Sequence, residues 1–204
     1  MTQATKRVVY TEVEDPPLAR FLFNSPASGV LWLVLRLYLA FQWIPSGWGK
    51  VTNPKWMETG EALQAYWVNA VRIPEQGRAA ITFDWYRSVL QYLLDVQAYT
   101  WFAKLIAIGE VLVAIALLVG LFTGIAAFFG AFMNWNFMMA GSASTNPLLF
   151  VVAIAIMLAW KVAGYYGLDR DLLPALGTPW QLGTLLKRQR PAPIARAATT
   201  APIA

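Results

Sequence analysis

Long apolar segments alternate with shorter polar ones along the chain, and this alternation predicts four membrane-spanning helices. The four segments cover residues 26–48, 101–122, 125–140 and 147–166. The first, second and fourth reach the roughly 20 residues that a helix needs to cross a bilayer. Four spans place both termini on the same side of the membrane. The pattern therefore predicts an all-α integral membrane protein whose core is a four-helix bundle.

Local signals indicate where these helices begin and how they connect. Ser25-Pro26 and Asn146-Pro147 each combine a capping side chain with a proline, which is typical of a helix start. Thr123-Gly124 leaves almost no loop between spans two and three. These two spans are therefore expected to form an antiparallel hairpin.

The connection between spans one and two is the longest polar segment, and its pattern predicts two helices. Asn53-Pro54 starts one that is expected to reach about Ala70. The second begins near Asp84, and residues at helical spacing give it one mainly apolar face: Tyr86, Val89, Leu90, Leu93, Leu94 and Gln97. We expect this amphipathic helical loop to lie on the membrane or to cover the mouth of the bundle.

These segments divide the chain into three parts. Residues 1–25 form a polar N-terminal segment, residues 26–175 form the membrane domain, and residues 176–204 form a basic tail. The tail is rich in alanine, proline and threonine, a composition that predicts disorder.

Composition supports the membrane assignment and narrows the chemistry. The chain is 58% hydrophobic and 13% charged, whereas charged residues make up about a quarter of a soluble domain. It contains no cysteine and no histidine, which excludes disulfides, thiolate chemistry, the usual zinc sites and haem ligated by either residue. We therefore predict no metal and no haem.

The net charge of +5 is interpreted as a membrane-surface signal, because the basic residues cluster beside the spans and in the tail. No nucleic-acid partner is predicted. The two terminal segments carry eight Lys and Arg residues, against five in the loop between spans one and two. The positive-inside rule then places both termini in the cytoplasm, in a multi-pass protein of the cytoplasmic membrane.

Two charged residues inside the spans are the first candidates for function. Arg36 lies in span one and Glu110 in span two, and a charge at the bilayer centre costs about 2.5 to 3.5 kcal/mol. In an antiparallel pair their axial mismatch would be roughly 4 to 5 Å, which long side chains can bridge. We therefore expect the two side chains to meet. They could form a buried ion pair that fixes the helix register, or the catalytic centre of a polar pocket.

Other polar and aromatic residues extend this candidate pocket. On a helix, Trp43 and Lys50 share the face of Arg36, and Asn134 is the better inward candidate of span three. Ser142 and Asn146 belong to a polar turn ahead of span four, where backbone amides suit an anion. Trp43 could stack on a quinone ring or simply pack in the core, and the turn could serve only as a helix cap.

The order of these residues resembles the DoxX family of small four-helix membrane proteins. Span one carries Arg36 and ends in Gly47-Trp48-Gly49-Lys50, and Glu110 in span two leads to the segment 120–124 with the sequence GLFTG. Span four closes on Gly167-Leu168-Asp169. The long first loop and the segment 134–142 look more like the DoxD-type branch. The resemblance covers about residues 26–175.

This resemblance implies a membrane subunit of thiosulfate:quinone oxidoreductase, which couples the oxidation of thiosulfate to tetrathionate with quinone reduction. Arg36 and Lys50 would attract the anionic substrate or hydrogen-bond a quinone carbonyl. Glu110 would orient Arg36 or relay a proton. Because the residues supply no redox group of their own, activity would need quinone as electron acceptor, a partner subunit, or both.

A non-catalytic role is the alternative, and it leaves open whether the chain is an enzyme at all. In that case the protein would dock onto a larger membrane complex as an accessory subunit and stabilise it. Its expected partners are the lipid bilayer and other membrane or membrane-associated subunits. Association with further copies of itself is also left open.

Overall fold

The computed structural model describes residues 15–177, and within this range its regular secondary structure is helical, with no strand. The predicted tail from residue 178 and the first 14 residues lie outside this range. A 3-10 turn, Pro26–Ser28, leads into the second helix. The helices are α1 (Pro17–Asn24), α2 (Gly29–Val51), α3 (Pro54–Met57), α4 (Glu61–Val71), α5 (Asp84–Asp95), α6 (Tyr99–Val119), α7 (Thr123–Met139), α8 (Asn146–Leu158), α9 (Trp160–Ala163) and α10 (Asp169–Leu176).

Within residues 15–177, two helical segments are long and apolar enough to cross a membrane. Pro26–Val51 has 26 residues and Tyr99–Val119 has 21. Helix α7 has 17 residues and α8 has 13. Helix α8 ends at Leu158, and α9 begins at Trp160 after the single residue Ala159. The break lies where Trp160 meets α7, since a Cβ on Gly124 would stand 2.6 Å from the Trp160 Cβ.

Helices α2, α6, α7 and α8 pack around one apolar core. Helix α2 contacts α6 and α8, and α7 contacts the same two helices. Small buried residues, Ala40, Ala114, Ala127 and Ala153, let these helices approach closely. Trp32, Leu39, Leu117 and Ile156 fill the remaining space.

The segment between α2 and α6 forms a second, smaller core against α6. Leu63 and Trp67 of α4 pack with Tyr86 and Leu90 of α5 and with Ala103 of α6. Both α5 residues belong to its predicted apolar face, whereas Val89 of the same face is 47% exposed.

The prediction of a single helix from Pro54 to about Ala70 was wrong. This segment forms two helices, α3 and α4, which are separated at Gly60. Gly60 has a φ of +76°, which a residue with a side chain rarely adopts. A Cβ on Gly60 would also overlap the Tyr99 carbonyl. The close approach of this turn to α6 therefore interrupts the helix.

Part of the predicted polar N-terminal segment is also helical. Helix α1 packs against α9, and the Trp32 Nε1 group donates a 2.8 Å hydrogen bond to the Leu22 carbonyl. Leu22 and Phe23 pack on the main core. The apolar residues of this short stretch thus fold onto the helices, although Asp15 precedes it and Arg20 lies within it.

Candidate functional site

Arg36 and Glu110 do not meet, so the predicted pair was wrong. Gly47 packs directly on α6, where a Cβ would lie 2.9 Å from the Val111 nitrogen and 3.2 Å from the Glu110 carbonyl carbon. Glu110 is therefore level with Gly47. Arg36 lies three turns earlier on α2, which is about 16 Å along the helix axis. The close packing at this glycine sets a register that the spacing of charges did not predict.

Arg36 instead binds the backbone at the other end of the helices. Its Nη2 donates to the Tyr166 carbonyl at 2.9 Å and its Nη1 to the Ala163 carbonyl at 3.5 Å. The Ala163 carbonyl ends α9, and the Tyr166 carbonyl lies three residues beyond it. The side chain is only 1% exposed, so these carbonyls take the place of water at both Nη groups, while the Nε has no partner among residues 15–177.

Asp169 is the carboxylate whose charge acts on Arg36. Its Oδ1 accepts from the Phe122 amide at 2.6 Å and its Oδ2 from the Thr123 amide at 2.8 Å. These amides begin α7, so a carboxylate from α10 caps that helix. The Arg36 centre, which we define as Arg36 with Asp169 and their backbone partners, joins α2, α7, α9 and α10.

Glu110 pairs with Lys50 at the opposite end of α2. The Lys50 Nζ lies 2.6 Å from the Glu110 Oε2, and the Ser46 Oγ donates to the same oxygen at 2.8 Å. Lys50 and Ser46 are one turn apart and also contact each other at 2.8 Å. Glu110 is fully buried, whereas the Lys50 side chain is 17% exposed. The Lys50 centre, defined as these three residues, thus connects the loop side to the interior.

Aromatic rings enclose the Lys50 ammonium. Its Nζ lies 5.2 Å from the centre of the Trp56 ring and 5.9 Å from that of Phe137. Cations bind favourably over aromatic faces at these distances. Trp56 and Phe137 were not among the predicted site residues, because their spacing in sequence carries no signal for this contact.

Four buried polar atoms near the Lys50 centre have no hydrogen-bond partner among residues 15–177. They are the Glu110 Oε1, the Trp43 Nε1 and both polar atoms of the Asn134 amide. Gly130 of α7 packs on both Trp43 and Val113, since its Cβ would lie 3.4 Å from each. Asn134 lies one turn beyond Gly130 on α7. Glu110 lies one turn before Val113 on α6, which is the same direction because the two helices are antiparallel. The unpartnered atoms therefore lie within about one helical turn of one another along the helix axes.

The comparison with protein families agrees with the motifs described above. The DoxX family model matches residues 31–142, which is more than half of the chain. The chain belongs to the DoxX family. No curated protein and no solved structure matches it. Both the family and the long apolar helices of this DoxX protein indicate a membrane protein.

The range matched by the DoxX model contains the whole Lys50 centre, Arg36, Trp43 and Asn134. Asp169, which completes the Arg36 centre, lies beyond it. The sequence offered two signals for the partners that were missed. Ser46 stands one turn from Lys50, and Asp169 is an acidic residue at the end of the fourth apolar segment.

The polar turn after α7 of this DoxX protein is closed by its own hydrogen bonds. The Asn146 Nδ2 donates to the Ser142 carbonyl at 2.9 Å, and the Ser142 amide donates to the Phe137 carbonyl at 2.9 Å. These bonds hold Ser142 and Asn146 in the turn. An anion site at these two residues stays a prediction.

The chemistry available to the Lys50 centre of this DoxX protein is that of an ion pair with free hydrogen-bonding capacity. Lys50 supplies a positive charge, and the Glu110 Oε1 can accept a hydrogen bond or hold a proton. The described residues contain no cluster of three or more His, Cys, Asp or Glu that could hold a metal ion. What these side chains can do is bind, orient and move protons.

Proposed function

We propose that this DoxX protein is the membrane subunit of a quinone-linked oxidoreductase, in which the oxidation of thiosulfate is coupled to quinone reduction. The observation that carries the proposal is the Lys50 centre with its unpartnered neighbours. Buried polar atoms in native proteins are nearly always hydrogen-bonded, and those that are not call for an explanation. Here a polar substrate or water would satisfy the Glu110 Oε1, the Asn134 amide and the Trp43 Nε1.

The reaction needs charge balance and protons, which this centre is suited to provide. Two thiosulfate ions join through a new sulfur–sulfur bond to form tetrathionate, and two electrons leave them. Quinone accepts these two electrons together with two protons. Lys50 would hold the anion by charge and hydrogen bonding, and Glu110 would pass a proton through its Oε1. A partner subunit would carry the electrons where the two substrates do not meet directly.

The proposal includes an arrangement in the cytoplasmic membrane. Helices α2, α6, α7 and the α8–α9 segment would each cross the bilayer, with both termini in the cytoplasm. Lipid would cover the exposed apolar residues of α6 and α7, which include Leu105, Leu112, Phe128 and Phe132. The Lys50 centre would then lie toward the outer side.

Cysteine labelling tests this orientation, because the chain contains no cysteine. A single Gln76→Cys substitution, in the connection between α4 and α5, should react with an impermeant maleimide in intact cells. Gln76 is exposed and has no left-handed backbone conformation, so the new side chain should be tolerated. Labelling only after the membrane is opened would overturn the orientation.

The catalytic test compares two lysines. Lys50→Met and Glu110→Gln should each lower thiosulfate-dependent reduction of a soluble quinone analogue by about 100-fold, in membranes that retain the native partners. Lys104→Met is the matched control. Lys104 lies at the loop end of α6, as Lys50 lies at the loop end of α2, but it has no part in the Lys50 centre. It should leave the rate unchanged.

Two outcomes would contradict the proposal. Equal rates in Lys50→Met, Glu110→Gln and the wild type would remove the Lys50 centre from the reaction. Inactivity of the wild type in every preparation, with stable co-purification of a larger assembly, would instead favour the accessory subunit.

A further inference from the structure

A cavity lined by aromatic side chains lies beside the Lys50 centre. It has a volume of about 230 Å³ and is enclosed by residues of α4, α5, α6 and the end of α7. Its walls include Tyr66, Trp67, Tyr86, Phe102, Phe132 and Phe137. None of the residues that line it carries a charge. A mostly apolar concave site with a few polar groups is the usual form of a small-molecule site.

Two tyrosine hydroxyls and one amide are the polar groups of this aromatic cavity. The Tyr86 hydroxyl donates to Asn136, with 3.1 Å to both its carbonyl and its Oδ1. The Tyr66 hydroxyl reaches the Phe137 carbonyl only at 3.4 Å, which is long for a hydroxyl donor. Tyr66 therefore has the hydroxyl that a ligand can most easily recruit.

Both hydroxyls stay neutral at physiological pH. Burial raises the pKa of Tyr66, against a smaller lowering by the nearby Ser142 side chain. Burial, together with the nearby Tyr66, raises the pKa of Tyr86 to about 12. A neutral phenol can donate a hydrogen bond to an uncharged carbonyl oxygen.

The aromatic cavity and the Lys50 centre share one wall. The Phe137 ring packs edge-on against Tyr66, with 6.4 Å between ring centres. The Lys50 Nζ lies 5.9 Å from the centre of the Phe137 ring. A ligand in the cavity would therefore be separated from the Lys50 ammonium by about the width of one aromatic side chain.

Exposed apolar residues form the rim of the cavity. Val89 is 47% exposed and Phe132 is 50% exposed, and both line it. A rim of this kind favours entry of an apolar molecule from lipid and disfavours entry of an anion from water. Thiosulfate would thus not bind here.

We propose that the aromatic cavity binds the ring of a quinone, with the Tyr66 hydroxyl donating a hydrogen bond to a ring carbonyl. A cavity of about 230 Å³ accommodates one substituted ring, and the flat aromatic walls suit a planar ligand. A longer apolar tail would leave past Val89 and Phe132 into the lipid. The inference rests on the proposed function only for the redox role of the ligand, and the binding itself is tested separately.

The test measures binding of a short-chain quinone analogue to the full chain in lipid nanodiscs by equilibrium dialysis, with empty nanodiscs subtracted. Tyr66→Phe removes the hydroxyl and leaves the ring, so it should weaken binding by about tenfold. Tyr92→Phe is the matched control, because Tyr92 lies on α5 with 65% exposure and does not line the cavity. It should bind as the wild type does.

A second variant tests the location independently of the hydrogen bond. Val89→Trp places a large ring at a half-exposed rim position and should reduce binding by more than tenfold. Wild-type binding in both Tyr66→Phe and Val89→Trp would overturn the inference. Where Val89→Trp does not fold, unchanged binding by Tyr66→Phe alone would overturn it.

The two proposals fail in different ways. Loss of quinone binding in these variants, with no thiosulfate-dependent activity in the wild type, would support the cavity and contradict the proposed function. Activity that depends on Lys50, with quinone binding insensitive to both cavity variants, would support the function and contradict the cavity.

Discussion

The two ends of α2 each bury a positive charge, but they do so in different ways. At one end the Arg36 guanidinium binds two carbonyls, and both oxygens of its acidic neighbour Asp169 accept backbone hydrogen bonds. At the other end Lys50 holds one oxygen of Glu110, while the second oxygen and the nearby Asn134 amide have no partner within residues 15–177. The Arg36 Nε and the Thr123 Oγ1 also have no partner within this range. The two arrangements therefore differ in their partners: backbone groups hold the first, whereas the second retains an unpartnered carboxylate oxygen beside its ion pair.

The packing around the two charges also differs: it is tight around Arg36 and more open beside Lys50. Around Arg36 the backbone approaches so closely that a Cβ on Gly120 would overlap the guanidinium, and one on Gly167 would lie 2.7 Å from its Nη1. Beside Lys50 stand aromatic rings and an open cavity. A buried charge in a membrane protein is therefore informative about function only once its partners are known. Here Arg36 has backbone carbonyls as partners and Lys50 has a carboxylate with free capacity, so Lys50 with Glu110 is the stronger candidate for chemistry, and a catalytic role of Arg36 stays a prediction.

The largest expected effect comes from removing the guanidinium. Arg36→Met would remove the donor of the hydrogen bonds to the Ala163 and Tyr166 carbonyls, and each buried acceptor left unsatisfied costs about 1 to 3 kcal/mol. We expect a large drop in the free energy of unfolding, measured by denaturation in detergent micelles. The yield of folded protein should fall with it.

Arg170→Met is the control for this variant. Arg170 is exposed and stacks on Tyr165, with 5.4 Å from its guanidinium carbon to the ring centre. Losing that contact should cost less than about 1 kcal/mol. Comparable losses in the two variants would show that Arg36 does not hold the Arg36 centre together.

A smaller loss of stability is expected from a methyl group at Gly120. Gly120 has a φ of +69°, and its Cβ would overlap the Arg36 Nη1, so Gly120→Ala should cost more than about 1 kcal/mol. Gly109→Ala lies on the same helix, where the new Cβ would meet only the Met133 Sδ at 3.9 Å. Calorimetry should show a lower unfolding temperature for the first variant only. Equal temperatures would mean that the packing around Arg36 is loose.

The contrast also shows what the sequence could predict. The apolar segments of the sequence indicated all four main helical regions. Position in those segments also identified five interior polar or aromatic candidates: Arg36, Glu110, Lys50, Asn134 and Trp43. Each of these five is buried or nearly so. Burial follows from local pattern, which a sequence carries directly.

The pairing of these residues was not predictable in the same way. Whether Glu110 meets Arg36 or Lys50 depends on the axial register of α6 against α2. The contact of Gly47 with the Glu110 and Val111 backbone determines that register. Several glycines could have made such a contact. Asp169 was missed as the neighbour of Arg36 because it comes from the far end of the chain, where nothing in the spacing links the two.

Asn134 distinguishes a functional polar group from a structural one. Replacing it with leucine removes two unpartnered buried polar atoms, so Asn134→Leu should leave the unfolding temperature unchanged or raise it, since an unsatisfied group costs about 1 to 3 kcal/mol. Thiosulfate-dependent quinone reduction should fall in the same protein. A clear loss of stability would instead indicate that Asn134 is hydrogen-bonded and structural.

The smallest expected effect is a pH dependence of stability that comes from Tyr86, which lines the aromatic cavity beside the Lys50 centre. Its pKa in the folded protein is about 12 because of burial and the nearby Tyr66, whereas an unfolded tyrosine has a pKa of about 10. The folded state keeps the proton after the unfolded state has lost it. Stability is therefore fully present below about pH 10 and falls as the pH rises toward 12. The expected slope is at most about 1.4 kcal/mol per pH unit, and Tyr86→Phe should flatten it. A slope that persists in Tyr86→Phe would assign the high-pH loss to other groups and would indicate that the Tyr86 hydroxyl is already in contact with water.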